Sequence, residues 1–217
     1  MRQMLGTEVG RPRVKICGLT RDADAQEAAR LGASFLGVIF AGGPRHIDDG
    51  RAKGIVQAAG GVPVIGVFGS QGGDEILGTR DAVGLAGAQL HSGASPELVR
   101  HLTREGLMVL VVARIANGAD LEHLVRLKSL GCPILVEPKV TGRLGGNGVA
   151  LPLEFAREAR ARLADHPMFL AGGLTPENVA DAVRAVRPDA VDVSSGVEQI
   201  PGVKDRARMA RFLEVLE

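Results

Sequence analysis

Strand-like apolar runs alternate with helix-like patterns eight times along the 217 residues, and no other regularity in the chain restricts its fold so tightly. The strand-like runs cover 14–17, 35–40, 63–68, 88–91, 108–114, 134–137, 168–171 and 190–193. Between and after them, helical patterns cover 22–31, 48–59, 74–83, 96–105, 121–130, 153–164, 176–186 and 204–216. In the first helix Ala25, Ala28, Ala29 and Leu31 recur at the spacing of one helical face, and a Gly, Ser, Thr, Asp or Pro signal precedes each helix. Gly78 weakens the third. Such repetition on short connections implies parallel strands joined by right-handed crossovers. Eight units close without an unpaired edge as a single-domain α/β protein, a (β/α)8 or TIM barrel. An open doubly wound sheet is the alternative, but it leaves two edges, and no Gly-x-Gly-x-x-Gly follows the first strand. On this reading 13–217 is the barrel and 1–12 a flexible N-terminal extension, since the first apolar run starts only near Val14.

A single globule of this length buries roughly 70–75% of its unfolded surface and needs no covalent staples. A net charge of +1 supplies no field for steering toward nucleic acid or an anionic membrane. Six Phe with neither Tyr nor Trp leave few platforms for stacking bases. No run of ~18 apolar residues and no signal-like apolar region is present, so a cytoplasmic protein is expected. The five histidines, His46, His91, His101, His123 and His166, are scattered, and Cys17 and Cys132 have no ligand-like spacing. A zinc site is therefore not expected. In a parallel barrel the two cysteines sit at opposite faces, which rules out a disulfide between them.

Barrels carry their chemistry at the C-terminal ends of the strands. Val14-Lys15-Ile16-Cys17-Gly18 delivers a thiol there, and alternation turns Lys15 and Cys17 to the same face, into the barrel. Cys17 is either a small core side chain or a functional one; an ammonium beside it lowers a thiol from ~8.5. Lys15 has a structural reading as well, an ion pair with Asp192 or Glu137. Glu137 ends the sixth strand before Pro138, either as a solvated strand-end carboxylate or as a buried general acid. Gln89 and His91 share one face at the end of the fourth strand, where either can orient a substrate. Arg45 follows the second strand, as a surface residue or as a fork for a carboxylate. Gly172-Gly173 and Ser194-Ser195-Gly196 follow the seventh and eighth strands, where backbone N–H groups commonly cradle phosphate. Gly145-Gly146-Asn147-Gly148 has the permissive backbone of a lid.

From Val14 to Leu216 these features together resemble the phosphoribosylanthranilate isomerase family. Lys15-Ile16-Cys17-Gly18 is similar to its first-strand motif and Gln89-Leu90-His91 to its fourth. Ala171-Gly172-Gly173-Leu174-Thr175-Pro176-Glu177-Asn178-Val179 is similar to the seventh. Asp192-Val193-Ser194-Ser195-Gly196-Val197-Glu198, followed by Pro201-Gly202-Val203-Lys204-Asp205, is similar to the C-terminal signature. The resemblance implies an Amadori rearrangement of N-(5-phosphoribosyl)anthranilate in tryptophan biosynthesis, with no metal or organic cofactor. It implies Cys17 as general base, Glu137 in the place of the general acid, and Arg45 on the anthranilate carboxylate. Gly172, Gly173, Ser194, Ser195 and Gly196 would hold the phosphate of this small phosphosugar partner, in a monomer or a homodimer. Three positions depart from the family pattern: Glu137 replaces an aspartate and precedes Pro138 where a smaller residue is usual, Asn147 replaces a threonine, and Gly43 a serine. The related histidine-pathway isomerase has an aspartate where this chain has Cys17. An isomerase of another phosphosugar amine and a barrel that binds without turnover are the remaining alternatives.

Overall fold

Eight parallel strands hydrogen-bond in sequence order, and the eighth pairs back to the first, closing the barrel. They are β1 (Arg13–Ile16), β2 (Phe35–Ile39), β3 (Val64–Phe68), β4 (Gly87–Leu90), β5 (Met108–Ile115), β6 (Ile134–Pro138), β7 (Met168–Ala171) and β8 (Ala190–Val193). The helices that return the chain are α1 (Asp22–Arg30), α2 (Asp49–Ala58), α3 (Gly73–Val83), α4 (Pro96–Arg104), α5 (Gly118–Lys128), α6 (Leu153–Leu163), α7 (Val179–Val186) and α8 (Arg206–Glu214). This computed structural model describes residues 11–92, 94–140 and 149–217. The proposed lid glycines Gly145 and Gly146, and most of the N-terminal extension, lie outside the described residues. Within that extension Pro12 is buried and Arg11 reaches Glu217 at 3.2 Å.

Each strand buries both of its faces, and this is why the strands read as near-continuous apolar runs. One face packs on the helices in a large cluster that includes Ile16, Leu36, Val64, Val111 and Val191. The other fills the barrel with a separate cluster of Phe35, Ile65, Leu110, Leu135, Phe169, Ala171 and Ala190. Phe35 and Phe169 meet across it at 5.8 Å between ring centroids. Above this apolar plug the same inward alternation presents Lys15, Gln89, Glu137 and Asp192. A two-residue step along a strand thus separates packing from chemistry.

Several boundaries move for local reasons. Helix α5 begins at Gly118 because the Asn117 side chain accepts from Ala119 and Asp120 N–H, capping the helix earlier than the apolar pattern shows. Helix α7 begins only at Val179, since Asn178 accepts from the N–H of Thr175 and donates to the Gly173 carbonyl, holding 173–178 as a loop. Residues 198–204, expected in part as the start of the last helix, form an antiparallel hairpin of β9 (Glu198–Ile200) and β10 (Val203–Lys204). Lys204 is buried in that hairpin, and Asp205 caps α8 by accepting from Arg208 N–H.

Candidate active site

Strand β1 sets one wall of the site. Lys15 is fully buried, and its Nζ donates to Asp192 Oδ1 at 2.7 Å and to Gln89 Oε1 at 2.9 Å. The β1–β8 register pairs Lys15 with Asp192, so of the two carboxylates open to it in the sequence Lys15 takes Asp192. Burial is the largest influence and works against the ammonium, but Asp192 and Cys17 together outweigh it and leave the Lys15 pKa raised. Cys17 lies just past β1, donates its N–H to the Val193 carbonyl at 2.8 Å, and is buried. The expected lowering of its thiol does not hold. Burial pushes the thiol up, with Asp192 adding to the effect, and the opposing pull of Lys15 does not cancel them. Gly37 makes room for both side chains: a Cβ there would stand 2.7 Å from Cys17 Sγ and 3.2 Å from Lys15 Nζ.

The opposite wall is built by β4, β5 and β6. Glu137 is 7% exposed, and its register partner Arg114 donates Nε–H to Oε1 at 3.2 Å. A second N–H of Arg114, on Nη2, reaches the His91 carbonyl at 3.2 Å. Burial raises Glu137 to about 7, against the lowering influence of Arg114. His91 stands 3.7 Å from the same oxygen, yet burial and the nearby cations lower it to about 4. Near neutrality the proton therefore belongs to the carboxyl rather than the imidazole. Both ring nitrogens of His91 are buried without a hydrogen-bond partner among the described residues.

Arg45 departs from the surface reading, because it is buried, and its fork grips an internal carboxylate. Its Nε donates to Glu198 Oε1 at 2.8 Å and its Nη2 to Oε2 at 2.6 Å. Glu198 is shared with Lys204, whose Nζ donates to Oε1 at 2.8 Å, to the Cys17 carbonyl at 2.6 Å and to the Ser194 carbonyl at 3.1 Å. Burial works to raise Glu198, but its two cationic partners leave it lowered. The hairpin thus ties the loops after β1, β2 and β8 together. Sequence reasoning assigned Glu198, Lys204 and Arg114 no place in the site. The signal for Arg114 was a single charge near the end of an eight-residue apolar strand.

The glycines after β7 and β8 permit close backbone approach. A Cβ on Gly172 would lie 2.1 Å from Pro138 Cδ, one on Gly173 2.5 Å from Ala150 N, and one on Gly196 1.9 Å from the Leu174 carbonyl oxygen. Among the described residues the N–H groups of Gly172 and Gly173 have no acceptor. Ser194 Oγ is also buried without a partner, and the site for a Cβ on Gly18 lies 2.8 Å from it, beside Arg45 Cδ. Ser195 and Gly196 open the short 3-10 turn Ser195–Val197. Among the loops after β2, β3 and β4 a cleft of about 310 Å³ is lined by Phe40, Gly42, His46, Gly69, Gln71 and Ser92, among others. No group of three or more His, Cys, Asp and Glu among the described residues is placed to hold a metal ion. No helix among them is long and apolar enough to cross a membrane.

A thiol and a protonatable buried carboxyl facing one barrel mouth is an acid–base arrangement, and comparison with known proteins gives it a family. The family model described as N-(5'-phosphoribosyl)anthranilate (PRA) isomerase matches residues 14–215. The chain belongs to this family. Among curated members, the N-(5'-phosphoribosyl)anthranilate isomerase of Cereibacter sphaeroides is 39% identical over 208 residues, covering 93% of this chain and 97% of its own. That of Nitrosococcus oceani is 39% identical over 210 residues, covering 94% and 96%. The crystal structure of the phosphoribosylanthranilate isomerase of Thermotoga maritima superposes with a TM-score of 0.85 at 34% identity, covering 94% of this chain and 98% of that one. A further phosphoribosylanthranilate isomerase structure, at TM-score 0.82 and 33% identity with the same coverage, holds reduced 1-(o-carboxyphenylamino)-1-deoxyribulose 5-phosphate. A structure of monomers generated from the dimeric Thermotoga maritima enzyme superposes with a TM-score of 0.83 at 33% identity. The protein is thus a phosphoribosylanthranilate isomerase on a TIM barrel.

Proposed function

We propose that the enzyme converts N-(5'-phosphoribosyl)anthranilate to 1-(2-carboxyphenylamino)-1-deoxyribulose 5-phosphate in tryptophan biosynthesis, with Glu137 as general acid and Cys17 as general base. The observation that carries the reading is the placement of a carboxyl poised at about 7 on β6 and a buried thiol past β1, both at one end of the barrel. Protonated Glu137 gives its proton to the furanose ring oxygen as the C1–O bond breaks, and the nitrogen lone pair forms the C1=N bond of a Schiff base. Cys17, as thiolate, then takes the C2 proton. The C2–H pair becomes a C1–C2 double bond, the C1=N pair returns to nitrogen, and the enolamine ketonises to product.

A buried thiol held upward is a poor base in the resting enzyme. The cation formed by ring opening changes that, since a positive charge close to the sulfur favours thiolate, and the Lys15 ammonium acts in the same direction. The thiol proton leaves to water as the thiolate forms, and the base is armed by the first step. Gly172, Gly173, Ser195 and Gly196 would meet the phosphate through backbone N–H groups, with Ser194 beside them. Gln89 and His91 line the sugar between the two walls. Arg45, with Nε and Nη2 held by Glu198, is left with Nη1 for the anthranilate carboxylate. Complementation of a tryptophan auxotroph lacking this isomerase tests the reading. Growth is the expected result; no growth from a folded protein that binds the product analogue would favour a barrel that binds without turnover.

A further inference from the structure

We propose that Arg114 is a positioning residue for Glu137: its guanidinium holds carboxyl oxygen Oε1 against the His91 carbonyl and so aims Oε2 at the substrate. The proposal rests on Glu137 being the general acid. A glutamate has one more rotatable bond than an aspartate, and a carboxyl that wanders by about an ångström can lose ~10²-fold in rate. Something must hold it. The β5–β6 register sets Arg114 directly beside Glu137, and the two N–H bonds of its planar fork diverge, one to Oε1 and one to the carbonyl of His91, just past β4. Among the described residues no hydrogen bond reaches Oε2. The His91 ring offers no substitute clamp, since it stands 3.7 Å away with neither nitrogen bonded.

The charges that face the Glu137 carboxyl can be named strand by strand. Arg114 from β5 and Lys15 from β1 favour its ionised form, Asp192 from β8 favours the protonated form, and His91 on the β4 side is neutral near pH 7. Strand β7 contributes no charged side chain. Removing Arg114 therefore has two separable effects: the acid is held less well, and it keeps its proton to higher pH.

Arg114→Met is expected to lower the kcat plateau on the order of 10- to 100-fold with KM nearly unchanged. The alkaline limb of the rate profile is expected to move up by about one pH unit. Arg114→Lys, which keeps the charge but loses the fork, should leave the limb near its parental position and restore the plateau only in part. Arg114→Gln serves the same comparison should the methionine variant fold poorly. A change of packing alone would lower thermal stability without moving the limb. The carboxyl itself is read by NMR titration of 13C-glutamate-labelled protein, with Glu137→Gln identifying the resonance. A midpoint that rises in Arg114→Met together with the kinetic limb supports the proposal. An unmoved midpoint in a folded variant overturns the proposal alone. A midpoint that rises while the rate profile stays fixed overturns Glu137 as the acid, and with it any role for Arg114 in turnover.

Discussion

Two titratable side chains in the barrel mouth, Glu137 and His91, are displaced in opposite directions by the same burial. Glu137, raised to about 7, keeps a proton in the native state that the unfolded chain releases near 4.5. Its contribution to stability is therefore full below pH 4.5 and is lost as pH rises through 7. His91, lowered to about 4 from 6.5, acts the other way, and stability is lost as pH falls across that interval. Urea-unfolding midpoints followed against pH should show the alkaline decline flatten in Glu137→Gln and the acidic decline flatten in His91→Asn. Identical pH profiles in parent and variants would mean that neither group is displaced. At Cys17 the expectation is kinetic. Cys17→Ser should cost at least ~10²-fold in kcat while binding of the product analogue persists, because a hydroxyl is a far weaker base at the same place. Turnover within a few-fold of the parent would make Cys17 a packing residue.

At the level of the elements, β2 and the β9–β10 hairpin shape the site without entering the chemistry. Gly37 is the point on β2 where Cys17 and Lys15 need space. Gly37→Ala should destabilise the fold by about 1–3 kcal/mol through overpacking and reduce turnover, measured by thermal unfolding and kcat. Parental stability and activity would show that the neighbours yield. The hairpin stands on Glu198, the shared partner of Arg45 and the fully buried Lys204. Glu198→Gln removes the charge and leaves two buried cations facing each other, which should cost about 3–5 kcal/mol. A loss under 1 kcal/mol would mean that water reaches the pair. The strands were legible because each buries both faces and so reads as an apolar run. The hairpin was not. Its strands are three and two residues long, and a buried lysine inside the expected start of a helix carries no signal of strand.

For the whole molecule, the barrel followed from repetition, since eight units at short spacing admit few closed arrangements. The polar rim was only partly legible. Period-two alternation placed Lys15 with Cys17 and Gln89 with His91, because residues on one strand share a face by geometry alone. Contacts between strands were not readable in this way. That Lys15 chooses Asp192, that Arg114 lies beside Glu137 and that Arg45 turns to Glu198 depend on register and on which charge is left unpaired once the barrel closes. The direction of the Cys17 shift was misjudged for a related reason, because a neighbouring cation is visible in sequence while depth of burial is not. The acid assignment is tested most directly by the turnover of N-(5'-phosphoribosyl)anthranilate by the parent and by Glu137→Gln, with product-analogue affinity measured on both. The expected result is a parental rate that falls as pH rises through about 7, a variant whose turnover is abolished, and equal affinity for the analogue. Parental turnover in Glu137→Gln would contradict it and move the acid to another residue, Asp192 being the next carboxylate in the same mouth.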